Sequence, residues 1–180
     1  TDITEQKQRE KTVRKMYEIG SNMDLTFDEK VTGLIEVGRK YLDLQYGFFT
    51  SIDGQTQKIV HARGSHKLLQ PGESAPLEET YCRKTIESDG LVGIENAEQI
   101  LGTDDPAYDL FGLGCYIGTK VRAGAELYGT FCFAGPEGLN RSFTDDEREI
   151  VKLLGQWAGY ELERSEVETR LRKLHQVAQE

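Results

Sequence analysis

The sequence is poor in cysteine, proline, histidine and tryptophan: its 180 residues hold three, four, three and one of these, respectively. Cys82, Cys115 and Cys132 are odd in number and none stands in a CxxC spacing, which excludes a fully paired disulfide framework and gives no support for a zinc site. Free thiols fit a reducing, cytoplasmic setting. His61, His66 and His175 fall on unrelated segments, so no metal site is expected. No apolar run is long enough to span a bilayer, and no signal-peptide pattern opens the chain. Cations are also scarce, with 22 Lys and Arg against 31 Asp and Glu and a net charge of −9. That balance argues against nucleic acid, whose phosphates need clustered Lys and Arg, and against contact with anionic membranes. The chain begins at Thr1 rather than Met and ends inside a helical pattern, as expected of a piece of a longer protein.

What is present is strong periodicity, above all in the last third. Tyr128-Gly-Thr-Phe-Cys-Phe-Ala-Gly reads as a strand. After a polar turn, Thr144 and Glu147 stand at capping-box spacing, where a hydroxyl and a carboxylate satisfy free amides at a helix start. Asp145 and Asp146 suit the positive end of that helix. Leu153, Trp157, Tyr160, Arg164, Val167, Leu171, Leu174 and Ala178 then recur at alternating spacings of four and three, a heptad seam. At 1.5 Å per residue this helix would run on the order of 50 Å, longer than the domain it leaves. A parallel two-stranded coil is expected, with Val167, Leu171 and Leu174 in a homodimer interface.

Upstream, residues 4–20 read as a polar helix with Val13, Met16, Tyr17 and Ile19 as its apolar edge, ended by Gly20-Ser21-Asn22. Phe27, Val31, Leu34, Ile35, Gly38, Tyr41 and Leu42 form one stripe of a second helix. Residues 46–52 and 58–62 read as a hairpin about Asp53-Gly54. Residues 64–74 read as a polar loop, 77–88 as a short helix, 91–95 as a strand and 96–111 as a loop with one helical turn. A second hairpin follows over 115–121 and 126–133. The order predicts an α+β fold: a mostly antiparallel sheet, terminal helices on one face, and the irregular middle over a cavity on the other. Three segments are expected: a helix and connector at 1–24, a core domain at 25–163, and a coiled-coil linker at 164–180 leading toward an output domain.

These residues resemble a GAF domain, the small-molecule sensor module of phytochromes, phosphodiesterases, histidine kinases and transcription activators. The likeness covers roughly Phe27 to Glu163. It rests on Tyr46-Gly-Phe-Phe-Thr-Ser-Ile-Asp, Leu77-Glu-Glu-Thr-Tyr-Cys-Arg, Gly114-Cys-Tyr-Ile-Gly-Thr-Lys-Val, and Leu127-Tyr-Gly-Thr-Phe-Cys-Phe followed by Ser142-Phe-Thr-Asp-Asp-Glu. The resemblance implies six antiparallel strands, a pocket under residues 61–111, dimerisation through terminal helices, and an output module such as a histidine kinase or activator. Ligand-lining residues expected on this basis are Phe49, Tyr81, Cys82, Ile86, Cys115, Tyr116 and Ile117. The residues identify neither ligand nor cofactor.

Within the family, bilin carriers attach the pigment through a cysteine commonly followed by His, and no Cys-His pair occurs here. The cyclic-nucleotide signature has only an echo in Asn140-Arg141, Phe143 and Asp146-Glu147. Free-methionine sulfoxide reductases share the fold and use paired cysteines, but their middle-loop cysteine spacing is missing. Cys82, Cys115 and Cys132 remain redox candidates, since a thiolate with a partner thiol in reach can form a disulfide. If Val121 pairs with Glu126, Cys115 falls opposite Cys132. Phe111-Gly-Leu-Gly-Cys-Tyr-Ile-Gly resembles a phosphate loop in composition alone, because no helix opens after it. With no triad or paired carboxylates legible, the segment is expected to be a non-enzymatic sensor. The opposing expectations are a dimerisation scaffold with an empty pocket and a cysteine-based redox sensor or reductase.

Overall fold

In the computed structural model, which describes residues 2–179, helix α1 (Asp2–Gly20) is followed by α2 (Phe27–Leu42). A capping box starts α2: the Thr26 hydroxyl accepts from the Glu29 amide at 3.2 Å, and the Glu29 carboxylate accepts from the Thr26 amide at 3.0 Å. Asp43 ends it in the left-handed region at φ 55°. Six strands follow: β1 (Tyr46–Asp53), β2 (Thr56–Arg63), β3 (Ser74–Pro76), β4 (Leu91–Ile94), β5 (Cys115–Ala123) and β6 (Glu126–Gly135). They form one antiparallel sheet in the order β3-β2-β1-β6-β5-β4. Between strands lie the short helices α3 (Cys82–Glu87), α4 (Ala97–Ile100) and α5 (Pro106–Phe111), and α6 (Asp145–Gln179) closes the chain. Thr1 and Glu180, the outer ends of the expected segments 1–24 and 164–180, lie outside the described residues.

The expected α+β architecture holds, with local differences. Residues 77–88 divide into a 3-10 turn at Leu77–Glu79 and then α3, and 96–111 hold two helices rather than one turn. β3 lies at the end of the expected polar loop, where only three residues pair with β2. The second hairpin pairs Ala123 with Glu126 around a two-residue turn, and a bulge at Val121/Arg122 sets Val121 opposite Gly129. Cys115 therefore faces Gly135, and Cys132 faces Gly118, which corrects the expected Cys115–Cys132 juxtaposition.

Strand alternation divides the apolar residues between two layers. Phe49, Cys115, Ile117, Val121, Phe131 and Phe133 meet Val31, Leu34 and Ile35 of α2 and Ile150, Val151 and Leu154 of α6. Phe49, Phe131 and Phe133 are fully buried, each burial stabilising by about 1.5–3 kcal/mol. The expected capping box also starts α6: Thr144 Oγ1 accepts from the Glu147 amide at 3.1 Å, and Glu147 accepts from the Thr144 amide at 2.9 Å. Gly155 and Gly159 let α6 lie directly on β5, since a Cβ there would come within 2.4 Å of Thr119 and 2.2 Å of the Arg122 carbonyl oxygen, respectively. Trp157 stacks on Phe27 at 6.0 Å. From residue 163 onward the helix is exposed throughout, including Val167, Leu171 and Leu174. No helix is long and apolar enough to cross a membrane among the described residues.

Candidate functional site

The opposite face of the sheet is covered by residues 64–113. Here Phe48, Ile59, Tyr116, Cys132 and Ala134 meet Leu69, Leu77, Tyr81, Cys82, Phe111 and Leu113 of the covering segment. Two ties hold the cover. His66 Nε2 bonds the Phe111 carbonyl at 2.7 Å while its Nδ1 accepts from the Leu68 amide, which assigns the proton to Nε2. Arg83 pairs with Asp105, the residue that caps α5 through the Ala107 amide at 2.9 Å.

Beneath the cover lies a buried polar cluster. Cys82 Sγ is 3.1 Å from Thr130 Oγ1, 3.5 Å from Tyr116 Oη and 3.8 Å from Cys132 Sγ. Tyr116 Oη is also 3.1 Å from Cys132 Sγ and 2.8 Å from Thr85 Oγ1. Thr130 Oγ1 stands 2.6 Å from Thr50 Oγ1, which already accepts from the Thr130 amide. The protons can be placed so that each hydroxyl donates once: Thr50 to Thr130 to Cys82, and Thr85 to Tyr116 to Cys132. The Cys132 thiol then donates to Cys82, so the donors converge on one sulfur. Burial disfavours the Cys82 thiolate, yet donation from Cys132 and Thr130, and from Tyr116 when its hydroxyl turns from Cys132 to Cys82, outweighs it and lowers the thiol below its ordinary value. Cys132 and Tyr116 are raised well above theirs, first by burial and then by the neighbouring sulfur.

Beside Cys82 is a small cavity lined by Phe48, Gln57, Leu69, Tyr81, Phe111 and Tyr116, among others. Its volume is about 10 Å³, on the order of one water molecule. Gln57, 2% exposed, leaves its Oε1 without a hydrogen-bond partner. A much larger open groove of about 720 Å³ lies elsewhere, between α1 and α2, and is lined mainly by surface groups such as Lys11, Lys15, Glu36 and Lys40. Among the described residues no group of three or more His, Cys, Asp or Glu is placed to hold a metal.

Tyr81, Cys82, Ile86 and Tyr116 from the expected lining do stand together on this face. Phe49, Cys115 and Ile117 do not: they face α2 and α6, because neighbours of an inward residue on a strand point the other way. Cys115 is thereby isolated from the other thiols, and burial pushes it up to about 11. Cys132, expected only as a redox candidate, belongs to the pocket cluster. Phe48, Gln57, Leu69, Thr85, Phe111 and Thr130 are additional members. Period-two alternation from Tyr116 could have separated Cys115 and Ile117 from it, and alternation along 46–52 could have exchanged Phe49 for Phe48.

Neither protein-family models nor curated proteins give a match to the sequence. Solved structures do match in shape. The GAF domain of the Acinetobacter phosphoenolpyruvate-protein phosphotransferase superposes with a TM-score of 0.67 at 14% identity, covering 92% of this chain and 98% of that one. The chain has the GAF fold. A domain of a putative two-component sensor histidine kinase from Sinorhizobium meliloti matches this GAF fold with a TM-score of 0.61 at 16% identity, over 82% of this chain and 98% of that one. The free methionine-R-sulfoxide reductase from Neisseria meningitidis, solved with its substrate, matches with a TM-score of 0.67 at 10% identity, over 88% and 90% of the two chains.

Proposed function

We propose that this GAF domain is a non-catalytic input module of a signalling protein, which responds to a small molecule at the Cys82–Tyr116 face and passes the change through α6 to an output module. The observation that carries this reading is the continuity of α6. One helix rests Gly155 on Thr119 and Gly159 on the Arg122 carbonyl of β5, a strand whose other face bears Tyr116, and then leaves the domain with Val167, Leu171 and Leu174 exposed. A shift of β5 has to be accommodated by the helix resting on it. Pairing of the seam with a second copy would bury these residues in a parallel coil. The ligand acts only to the extent that it binds two helix arrangements with different affinity.

The small cavity favours a second reading. A site filled by Phe48, Tyr81, Phe111 and Tyr116 is what a dimerisation scaffold would have, because small-molecule pockets typically offer several hundred Å³.

Sedimentation equilibrium separates the two. The 180-residue chain is expected to dimerise, and Leu171→Glu to weaken the dimer at least about tenfold by placing charge in an apolar seam. Leu69→Ala, which enlarges the cavity far from the seam, is expected to shift the dimer constant if the pocket and α6 are coupled. A monomer at high micromolar concentration sinks the coil. A dimer indifferent to Leu69→Ala leaves the scaffold.

A further inference from the structure

The geometry points to Cys82 and Cys132 as a dithiol that a small hydroperoxide, admitted to the cavity beside Cys82, oxidises to an intramolecular disulfide. This names the signal for the input-module reading and rests on that reading only for its transmission to α6; the chemistry stands on the pocket. Three independent observations meet there. The two sulfurs are 3.8 Å apart, on separate elements of the fold. The cavity at Cys82, about 10 Å³, is no larger than one water needs, so hydrogen peroxide, the smallest hydroperoxide, enters only as the cover yields slightly, and larger ones are shut out. Gln57 Oε1, buried and unpartnered, lines the same cavity and can accept a hydrogen bond from the peroxide O–H.

Cys82 is the attacking sulfur, since Thr130 and Cys132 are placed to donate to it and so support a thiolate. Its sulfur attacks one peroxide oxygen. The S–O bond forms, the O–O bond breaks, and the departing hydroxide leaves as water with the thiol proton. Cys82 is then a sulfenic acid. The Cys132 sulfur attacks Cys82, forming the S–S bond and breaking S–O, and the hydroxyl departs as a second water with the Cys132 proton. The two thiols have supplied two electrons, and the peroxide has become two waters. Closing the sulfurs to about 2.0 Å has to move one element. Cys132 sits in a strand paired on both sides, whereas Cys82 opens a six-residue helix, so α3 moves. Cys115, on the far face, takes no part.

The test is peptide mapping of the native 180-residue protein after treatment with hydrogen peroxide. The expected product is a Cys82–Cys132 linked peptide with Cys115 still titratable, formed unchanged in Cys115→Ser. Cys132→Ser should stop at a sulfenic acid on Cys82 that dimedone traps, and Gln57→Leu should slow the reaction by about tenfold. If a cysteine variant fails to fold, mapping of the wild type still decides. Native protein whose thiols stay free, or which oxidises first at Cys115, overturns the assignment. A disulfide that leaves the dimer constant unchanged upholds the chemistry and removes the relay. No disulfide, with a dimer constant that still responds to Leu69→Ala, upholds the relay and overturns the peroxide chemistry.

Discussion

Glu147 shows how one side chain can tie a helix start to the loop before it. It completes the capping box with Thr144 and also takes a two-pronged contact from Arg141 at 2.7 and 3.0 Å. Burial raises its carboxyl, but Arg141 and the Thr144 amide outweigh that and hold it below the usual range. A depressed folded value means the charged form is favoured by folding. The contribution is full above the unfolded value of about 4.3 and is lost as the pH falls through the folded value. Urea denaturation across pH 7 to about 3 should therefore show a drop in stability below about 4.3 that is smaller in Glu147→Gln. The capping box itself was legible from Thr144 and Glu147; the Arg141 contact was not, because a polar turn gives no periodicity from which to read its path.

At the scale of elements, the legible parts were those with a long period. The α2 stripe and both hairpins follow from 3.6- and two-residue repeats that many residues support at once. β3 escaped because three residues hold too few alternations. The hairpin register escaped because it depends on a two-residue turn and a bulge, and a small slip there moved Cys132 from Cys115 to Gly118. Cys82 and Cys132 met through tertiary packing alone, which no spacing in the sequence encodes. Glycine on α6 is likewise a packing signal. Gly159→Ala brings a Cβ against the Arg122 carbonyl, and an overpacking cost of about 1–3 kcal/mol outweighs a helix-propensity gain of about 1 kcal/mol. Gly33→Ala on α2, where a Cβ would meet Ile19 only at 3.4 Å, should instead gain up to about 1 kcal/mol. Opposite signs in thermal melts of the two variants check the close-packed contact of α6 on β5.

For the whole molecule, the residues that build the folded body and those proposed to pair with a second copy lie in different parts of the chain. Residues 163–179 are exposed along their length and contribute nothing to either layer beside the sheet. Ending the chain at Glu163 should change the unfolding free energy of the monomer by less than about 0.5 kcal/mol, and on the proposed pairing it should abolish dimerisation. By contrast α1 is bound to the body: Val13, Met16 and Ile19 pack on the helix-side core, and Arg9 pairs with Asp146 at 3.3 Å. A truncation starting at residue 25 should lower the melting temperature, measured by circular dichroism, by several degrees.

The cover over Cys82 is a single stretch of chain, 64–113, and it carries both outer strands, β3 on one edge and β4 on the other. The four strands left without it, β2-β1-β6-β5, remain hydrogen-bonded neighbours with α2 and α6 behind them. The molecule is thus divided along its sequence as well as through its thickness. A graft that replaces 64–113 with the corresponding stretch of another chain of this shape would exchange Cys82, Thr85 and the apolar cover at two splice points, and would keep the half of the pocket that the sheet carries, with Gln57, Tyr116, Thr130 and Cys132.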